Sequence, residues 1–335
     1  MSGKTAEVHL FVQLCAFNES EQIGAVIREI PRCIPRIASV TIVVVDDGSS
    51  DSTGEVATAA GADVILRHTQ QQGLARAFQT GVDFCLDHGA DIVVNIDADG
   101  QYCGSDIPAL VQPILDGEAD VVIGDRRPHQ LEHFSPLKRA LQRIGSRVVQ
   151  VASGLHVPDA VSGFRAYGRE AALRMFVTPQ FSYTIQTLIQ AGKLGLAVRS
   201  IPVVARKTKR PSRLHRGIVH FVALQAGVLV RTYATYEPLK TFFGAALPFL
   251  IVGLFLIGRV VAIALARGGQ FANVPSLIVG TLAILIALFL MMTGILADRI
   301  RDNRRILEET LYLIRKQRAE SRRSKSKRTD YLATR

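Results

Sequence analysis

Three short polar motifs, each closing an apolar run, carry the residue types from which a phosphate and metal site is made. Cys15-Ala16-Phe17-Asn18-Glu19 ends a run that begins at Val8, Asp46-Asp47-Gly48-Ser49-Ser50-Asp51 follows Val40–Val45, and Asp97-Ala98-Asp99-Gly100-Gln101 follows Ile92–Ile96. Two carboxylates flanking one alanine repel each other and resist desolvation unless a cation neutralises them. Hard divalent ions such as Mg²⁺ and Mn²⁺ meet that need, because they take oxygen ligands and bridge a nucleotide's phosphates. Each motif alone reads equally well as a helix cap or a solvated turn; their joint occurrence points to one site. No catalytic histidine or carboxylate dyad stands out, since His215 and His220 fall in a basic segment beside long apolar stretches. Cys15, Cys33, Cys85 and Cys103 have neither CxxC spacing nor a histidine cluster, so they read as reduced thiols.

Such motifs need a scaffold that brings several loop ends together. Val8–Ala16, Val40–Val45, Asp63–Leu66, Ile92–Ile96 and Val121–Ile123 are short, β-branched and nearly continuous in apolar character, the pattern of strands buried on both faces. Helical patterns fall between them at 20–30, 52–60, 73–87 and 105–116. Ser52 with Glu55 has the form of a capping box, which starts a helix just after the Asp46–Asp51 loop. This alternation predicts an α/β fold with a mostly parallel sheet and helices on both faces. In such sheets ligands bind beyond the carboxyl ends of the strands, where all three motifs lie.

The chain has 335 residues, 40 Lys and Arg against 29 Asp and Glu, and a net charge of +11. That charge is segregated: residues 1–200 carry −5, 201–240 +7, 241–298 +1 and 299–335 +8. The composition excludes a disordered chain, a collagen-like repeat and a disulfide scaffold. Eighteen uncharged residues separate Lys240 from Arg259, and thirty separate Arg267 from Asp298. Phe242–Ala266 and Val274–Ala297 are therefore each long enough to cross a hydrocarbon core of about 30 Å as helices, with Arg259 snorkelling from a helix end or pairing within an assembly. The connection between them is short and nearly uncharged while both flanks are basic, so the positive-inside rule predicts a multi-pass membrane protein with catalytic domain and both termini cytoplasmic. Met1–Glu7 is polar and has no signal-peptide pattern.

The expected organisation is a cytosolic domain over 1–215, an interfacial amphipathic helix over 216–240, two transmembrane helices over 241–298 and a basic tail over 299–335. Within the tail, Ile306, Leu307, Leu311 and Ile314 suggest an amphipathic helix, followed by a disordered end. Its basic residues suit anionic lipids of the cytoplasmic leaflet, and a homo-oligomer through this helix or the spans is equally allowed. Nucleic acid is not an expected partner, because the tail adjoins a span and lacks interleaved aromatics.

In this order and spacing the three motifs resemble the family 2 glycosyltransferases, whose GT-A fold binds a nucleotide sugar and a metal. Gly124-Asp125-Arg126, Ser135-Pro136-Leu137-Lys138-Arg139, the run from Asp159 to Ala166, and Arg210-Pro211-Ser212-Arg213 extend the resemblance to the dolichyl/polyprenyl-phosphate sugar transferases of the dolichol-phosphate mannosyltransferase type. Tyr236–Lys240 before a helix pair suits the membrane-anchored members, and the resemblance spans about residues 8 to 315. It implies that Phe17 and Glu19 line the nucleoside pocket, that Asp46 or Asp47 accepts hydrogen bonds from the base, and that Asp97, Asp99 and Gln101 hold Mg²⁺ or Mn²⁺. It further implies that Arg126, Lys138 and Arg139 grip the acceptor phosphate, and that Arg206, Arg210, Ser212 and Arg213 close over the diphosphate; Asp99, Arg126 and Arg139 are the expected catalytic residues. The implied reaction is inverting transfer of a hexose from a UDP- or GDP-sugar to a polyprenyl phosphate. That acceptor is an anion near pH 7, with a second pKa of about 6, so it attacks without a general base.

Three departures from the family pattern leave the sugar open: Gln71-Gln72-Gly73 replaces the common Asn-x-Gly, Arg210-Pro211-Ser212 replaces Gly-x-Ser, and Ser182–Gln186 lacks acidic residues. A processive polysaccharide synthase would carry Gln-x-x-Arg-Trp, and this chain has no Trp. Transfer to a diacylglycerol or ceramide hydroxyl would require a base, and a catalytically silent membrane scaffold would not require the Asp-x-Asp with Gln101.

Overall fold

A computed structural model describes residues 7–127, 147, 149–151, 153–177, 182–206, 234–266 and 273–333, with side chains of the last helix described as far as Arg322. The chain divides into two units, Met1–Val222 with Glu308–Arg335, and Ala223–Leu307.

In the first unit seven strands form one sheet: β1 (Val8–Ala16), β2 (Ile37–Asp46), β3 (Val64–Arg67), β4 (Ile92–Asp97), β5 (Val121–Asp125), β6 (Arg165–Gly168) and β7 (Val198–Pro202). Their order is β3-β2-β1-β4-β6-β5-β7. β6 runs antiparallel to β4 and β5, and all other pairs are parallel. The helices are α1 (Ile23–Glu29), α2 (Thr53–Ala59), α3 (Leu74–Asp87), α4 (Ile107–Leu115), α5 (Arg169–Arg174) and α6 (Tyr183–Lys193). Val12, Leu14, Ile42, Val44, Val94 and Ile96 are fully buried in the central strands. Helices cover both sheet faces, so these strands have no solvent side and no apolar–polar alternation.

After β1 the chain builds outward through β2 and β3, then crosses to β4 on the other side of β1. That reversal opens a crevice at the carboxyl ends of β1 and β4, the place where ligands bind in sheets of this kind. The register sets Ala16 opposite Asp46 and Cys15 opposite Asp97, so three motifs distant in sequence end on adjacent strands. α2 starts where the capping pattern predicts, but Ser52 makes no side-chain cap bond. Asp51 takes that role, its Oδ1 accepting the Thr53 amide at 3.1 Å.

The second unit contains α7 (Pro238–Ala266) and the first part of α8 (Val274–Ala333). Both helices are long and apolar enough to cross a membrane, with mean hydropathies of 2.6 and 2.5 over their most apolar windows. They meet through small residues: a Cβ on Gly253 would lie 2.8 Å from the Gly280 carbonyl oxygen, and Ala246 and Ala287 are fully buried. Close backbone approach of this kind is how helices associate where lipid removes the hydrophobic drive.

α8 continues as helix to Ala333, where the sequence pattern predicts disorder. Its residues from Glu308 onward belong to the first unit and dock on α3 and α5. Tyr312 Oη donates to Glu170 at 2.6 Å, and the Arg174 guanidinium lies 4.0 Å from the Tyr312 ring centroid. Arg315 pairs with Asp83 and donates to the Met175 carbonyl at 2.6 Å, while Arg318 and Arg322 reach Asp87 at 2.7 and 3.0 Å. The docked face is therefore Tyr312, Arg315 and Ala319; of the apolar residues marked in the sequence Leu311 is half-buried, whereas Ile314 is 57% exposed. Acidic residues near the carboxyl end of α3 oppose that helix's dipole, so arginines are the side chains that gain from packing there. Arg315, Arg318 and Arg322 thus face protein carboxylates rather than the lipid headgroups the sequence suggests for them.

Candidate active site

The first two motifs are sewn together by local hydrogen bonds. Asn18 adopts a left-handed conformation with φ of 52°, and its Oδ1 accepts the Ser50 amide at 2.8 Å while Ser49 Oγ accepts the Asn18 amide at 2.9 Å. Thr53 Oγ1 accepts the Glu19 amide at 2.9 Å. Phe17 and Glu19 thus sit on a braced loop over the ends of β1 and β2. Asp46 is buried, with Oδ1 accepting the Ser49 amide at 2.9 Å and Oδ2 3.5 Å from Arg67 Nε. Asp47 is committed to the fold: it accepts the Gln72 and Gly73 amides at 2.9 and 2.8 Å and lies 2.7 Å from His68 Nδ1. Of the two aspartates expected near the base, Asp47 instead ties down the loop that enters α3. Gly48, with φ of +76°, closes this turn where a Cβ would lie 2.7 Å from the Gln70 carbonyl carbon.

Asp97 ends β4 and Asp99 follows in the turn, with the Gln101 amide donating to Asp99 Oδ1 at 3.0 Å. Desolvation and the neighbouring Asp99 charge push the Asp97 carboxyl up to about 6, and desolvation raises Asp99 as well. Two acids held together in a site that favours their protonated forms bind a cation by relieving both penalties. Among the described residues no group of three or more His, Cys, Asp or Glu is placed to hold a metal. A divalent ion here would draw its remaining oxygen ligands from phosphate and water, which suits Mg²⁺ or Mn²⁺.

Gln101, expected to help hold the metal, contacts Arg126: its Oε1 accepts Arg126 Nη1 at 3.0 Å and keeps a second lone pair. Arg126 is itself clamped on Asp159, through Nε to Oδ2 at 2.7 Å and Nη2 to Oδ1 at 2.9 Å. Burial alone would weaken its charge, but these bonds hold the guanidinium more firmly protonated than usual. Arg206 stands beside the Asp99 turn: its Nη1 donates to Glu29 Oε1 at 2.7 Å and its amide to the Gln101 carbonyl at 2.8 Å. A cleft of about 170 Å³ is lined by Gln22, Glu29, Asp99 and Arg206. Lys138, Arg139, Arg210, Ser212 and Arg213 lie outside the described residues.

Behind the carboxylates runs a polar chain that the motif pattern does not include. Gln13 Nε2 donates to Asn95 Oδ1 at 2.9 Å across the β1–β4 register, Asn95 Nδ2 donates to the Gly163 carbonyl at 2.8 Å, and Tyr183 Oη donates to Asp97 Oδ1 at 3.4 Å. Tyr102 Oη accepts the Gly163 amide at 3.1 Å. The signal for Gln13 and Asn95 was available: each is a lone polar residue inside a strand that must be buried on both faces, where an amide needs a partner. Asp159 and Tyr183 carry no such mark.

Residues 12–176 match the family model described as Glycosyl transferase family 2. A dolichyl-phosphate hexose transferase of Haloferax volcanii is 31% identical over 205 residues, 61% of this chain and 86% of that protein. An undecaprenyl-phosphate mannosyltransferase of Micrococcus luteus is 26% identical over 214 residues, 61% of this chain and 86% of that protein. Among solved structures, glucosyl-3-phosphoglycerate synthase from Mycobacterium tuberculosis in complex with Mn²⁺ and UDP-glucose superposes with a TM-score of 0.54 at 25% identity, covering 69% of this chain and 79% of that one.

Proposed function

The chain belongs to glycosyl transferase family 2, and from that premise we propose that it moves a hexose from a UDP- or GDP-linked donor onto a polyprenyl or dolichyl phosphate, with inversion, at the cytoplasmic face of a membrane. The observation that carries this reading is the pair Asp97 and Asp99 at the reversal point of the sheet, beside the Arg126–Gln101 contact, in a chain that also has two helices able to cross a membrane. The names of the similar polyprenyl-phosphate transferases support the same acceptor class.

Asp97 and Asp99 hold the divalent ion, which when bound supplies Lewis-acid charge to the departing nucleoside diphosphate. Phe17 and Glu19 border the nucleoside and Asp46 faces its base, while Asp47 keeps the Gln72–Gly73 loop in place. An acceptor phosphate is already ionised near neutral pH, with a second pKa of about 6, so no residue has to abstract a proton. The protein instead orients two phosphate groups that repel each other and screens their charge, and such positioning supplies much of the rate. Arg126, Lys138 and Arg139 screen the acceptor; Arg206, Arg210 and Arg213 screen the diphosphate, to which the Ser212 hydroxyl donates a hydrogen bond. One in-line displacement at the anomeric carbon inverts its configuration.

The test is incubation of purified protein with labelled UDP- and GDP-hexoses, polyprenyl phosphate and Mn²⁺ or Mg²⁺. A lipid-linked sugar of inverted configuration, lost on chelation, is the expected product. A labelled diacylglycerol product, or hydrolysis alone, overturns the reading.

A further inference from the structure

Arg165, the first residue of β6, is fully buried, and four of its N–H groups are satisfied by neutral acceptors. Nε donates to the Ser162 carbonyl at 2.8 Å and Nη2 to the Ala160 carbonyl at 2.8 Å. Nη1 donates to the Thr184 carbonyl at 2.7 Å and to Thr187 Oγ1 at 2.9 Å. Among the described residues no carboxylate forms an ion pair with it. A buried charge without a bonded counter-ion is costly, and an apolar residue would normally serve a core better.

The four acceptors belong to two segments, the 160–162 loop and α6, and each segment delivers one group to Asp97. The loop delivers Gly163, packed so closely that a Cβ there would lie 2.4 Å from Asp97 Oδ2. α6 delivers Tyr183, whose hydroxyl donates to Asp97 Oδ1. We infer that Arg165 is a positioning residue for Asp97: it staples the two walls enclosing that carboxylate and sets a fixed positive charge behind it without occupying an oxygen a metal needs. This role rests on the reading of Asp97 and Asp99 as metal ligands. Groups that orient a ligand from behind commonly alter metal affinity 10- to 100-fold when removed.

Full-length Arg165→Met and Arg165→Lys are compared for Mn²⁺ affinity by calorimetric titration with UDP present, for thermal midpoint, and for transfer kinetics. Arg165→Met is expected to weaken Mn²⁺ binding about tenfold and to lower kcat more than it raises the KM for nucleotide sugar. Arg165→Lys, which keeps the charge but loses most of the donors, should recover part of the Mn²⁺ affinity while its midpoint stays low. Thr187→Val removes one acceptor and leaves the charge; a two- to threefold loss of Mn²⁺ affinity is expected, so the idea stays testable where Arg165→Met does not fold. Wild-type Mn²⁺ affinity in folded Arg165 variants, or in Thr187→Val, overturns the positioning role. Asp99→Ala separates the two readings: if it binds Mn²⁺ like wild type, the metal assignment itself has failed.

Discussion

Arg126 and Asp159 form a two-pronged pair, Nε to Oδ2 at 2.7 Å and Nη2 to Oδ1 at 2.9 Å, in which the carboxylate is completely buried. The remaining arm of the guanidinium reaches Gln101 Oε1 at 3.0 Å. A side chain held on three atoms is a fixed electrostatic feature of the site, not a flexible surface cation, and such fixed charge is the kind that stabilises a transition state without reorganising.

Asp159→Asn leaves the buried guanidinium without its counter-charge. Removing one member of a buried pair typically costs about 3–5 kcal/mol, so thermal unfolding should move down by many degrees. The double change Asp159→Leu with Arg126→Met should regain much of that stability yet stay inactive; equal loss in both variants would mean that the stranded charge is not what costs stability.

Gly163→Ala inserts a methyl group 2.4 Å from Asp97 Oδ2 and 2.6 Å from Tyr183 Oη. Asp97 must turn away, so turnover should fall by at least about tenfold while the protein remains folded, as a misplacement of about 1 Å can cost about 100-fold. Steady-state kinetics beside circular dichroism checks this.

Metal-free protein should carry a pH signature of Asp97. Its folded pKa, pushed up to about 6, exceeds the ordinary 3.8, so the folded state binds the proton more tightly than the unfolded state. The associated stability is present below about pH 4 and is lost as pH rises to about 6. Saturating Mn²⁺ should cancel that loss, and Mn²⁺ affinity should climb with pH up to about 6 and then level off. Thermal midpoints between pH 4 and 7.5, with chelator and with Mn²⁺, test both statements; parallel curves would remove Asp97 from the metal site.

Arg315→Glu sets like charges against each other at Asp83 and also loses the bond to the Met175 carbonyl. Asp83 is 46% exposed, so the ion pair itself accounts for no more than about 1 kcal/mol at low salt, with less in high salt. The exchange Asp83→Arg with Arg315→Glu should recover most of the loss, as measured by thermal unfolding at two ionic strengths.

The strands β1 to β5 and the three motifs were legible in the sequence because burial on both faces leaves long β-branched runs, and polar residues at their ends interrupt them. β6 and β7 carry Arg165, Arg199 and Ser200 among their few apolar residues and so leave no continuous apolar run, and the antiparallel sense of β6 depends on neighbours distant in sequence. Asp97 and Asp99 announce themselves by spacing, whereas Asp159 and Arg165, which stand within the run that carries the family resemblance, show what they bond to only after folding. The residue type marks Gln101 as an oxygen ligand, and folding adds a guanidinium from another strand end as a neighbour of that oxygen. Hydrophobicity marks the tail as a helix without saying what it packs against, and its ion pairs with Asp83 and Asp87 of α3 appear only once the chain is folded.

The docked end of α8 also sets a schedule. Asp83 and Arg315 are 232 residues apart, with both apolar helices between them in the chain. At ribosomal rates of about 5–20 residues per second, α3 waits roughly 10–50 s after synthesis before its last partners emerge. By then both apolar helices have left the ribosome, so the first unit is finished only on chains whose hydrophobic segments have already been made. A ribosome that stalls before Glu308 leaves α3 with exposed acids and an uncovered face, a marker by which unfinished chains differ from finished ones.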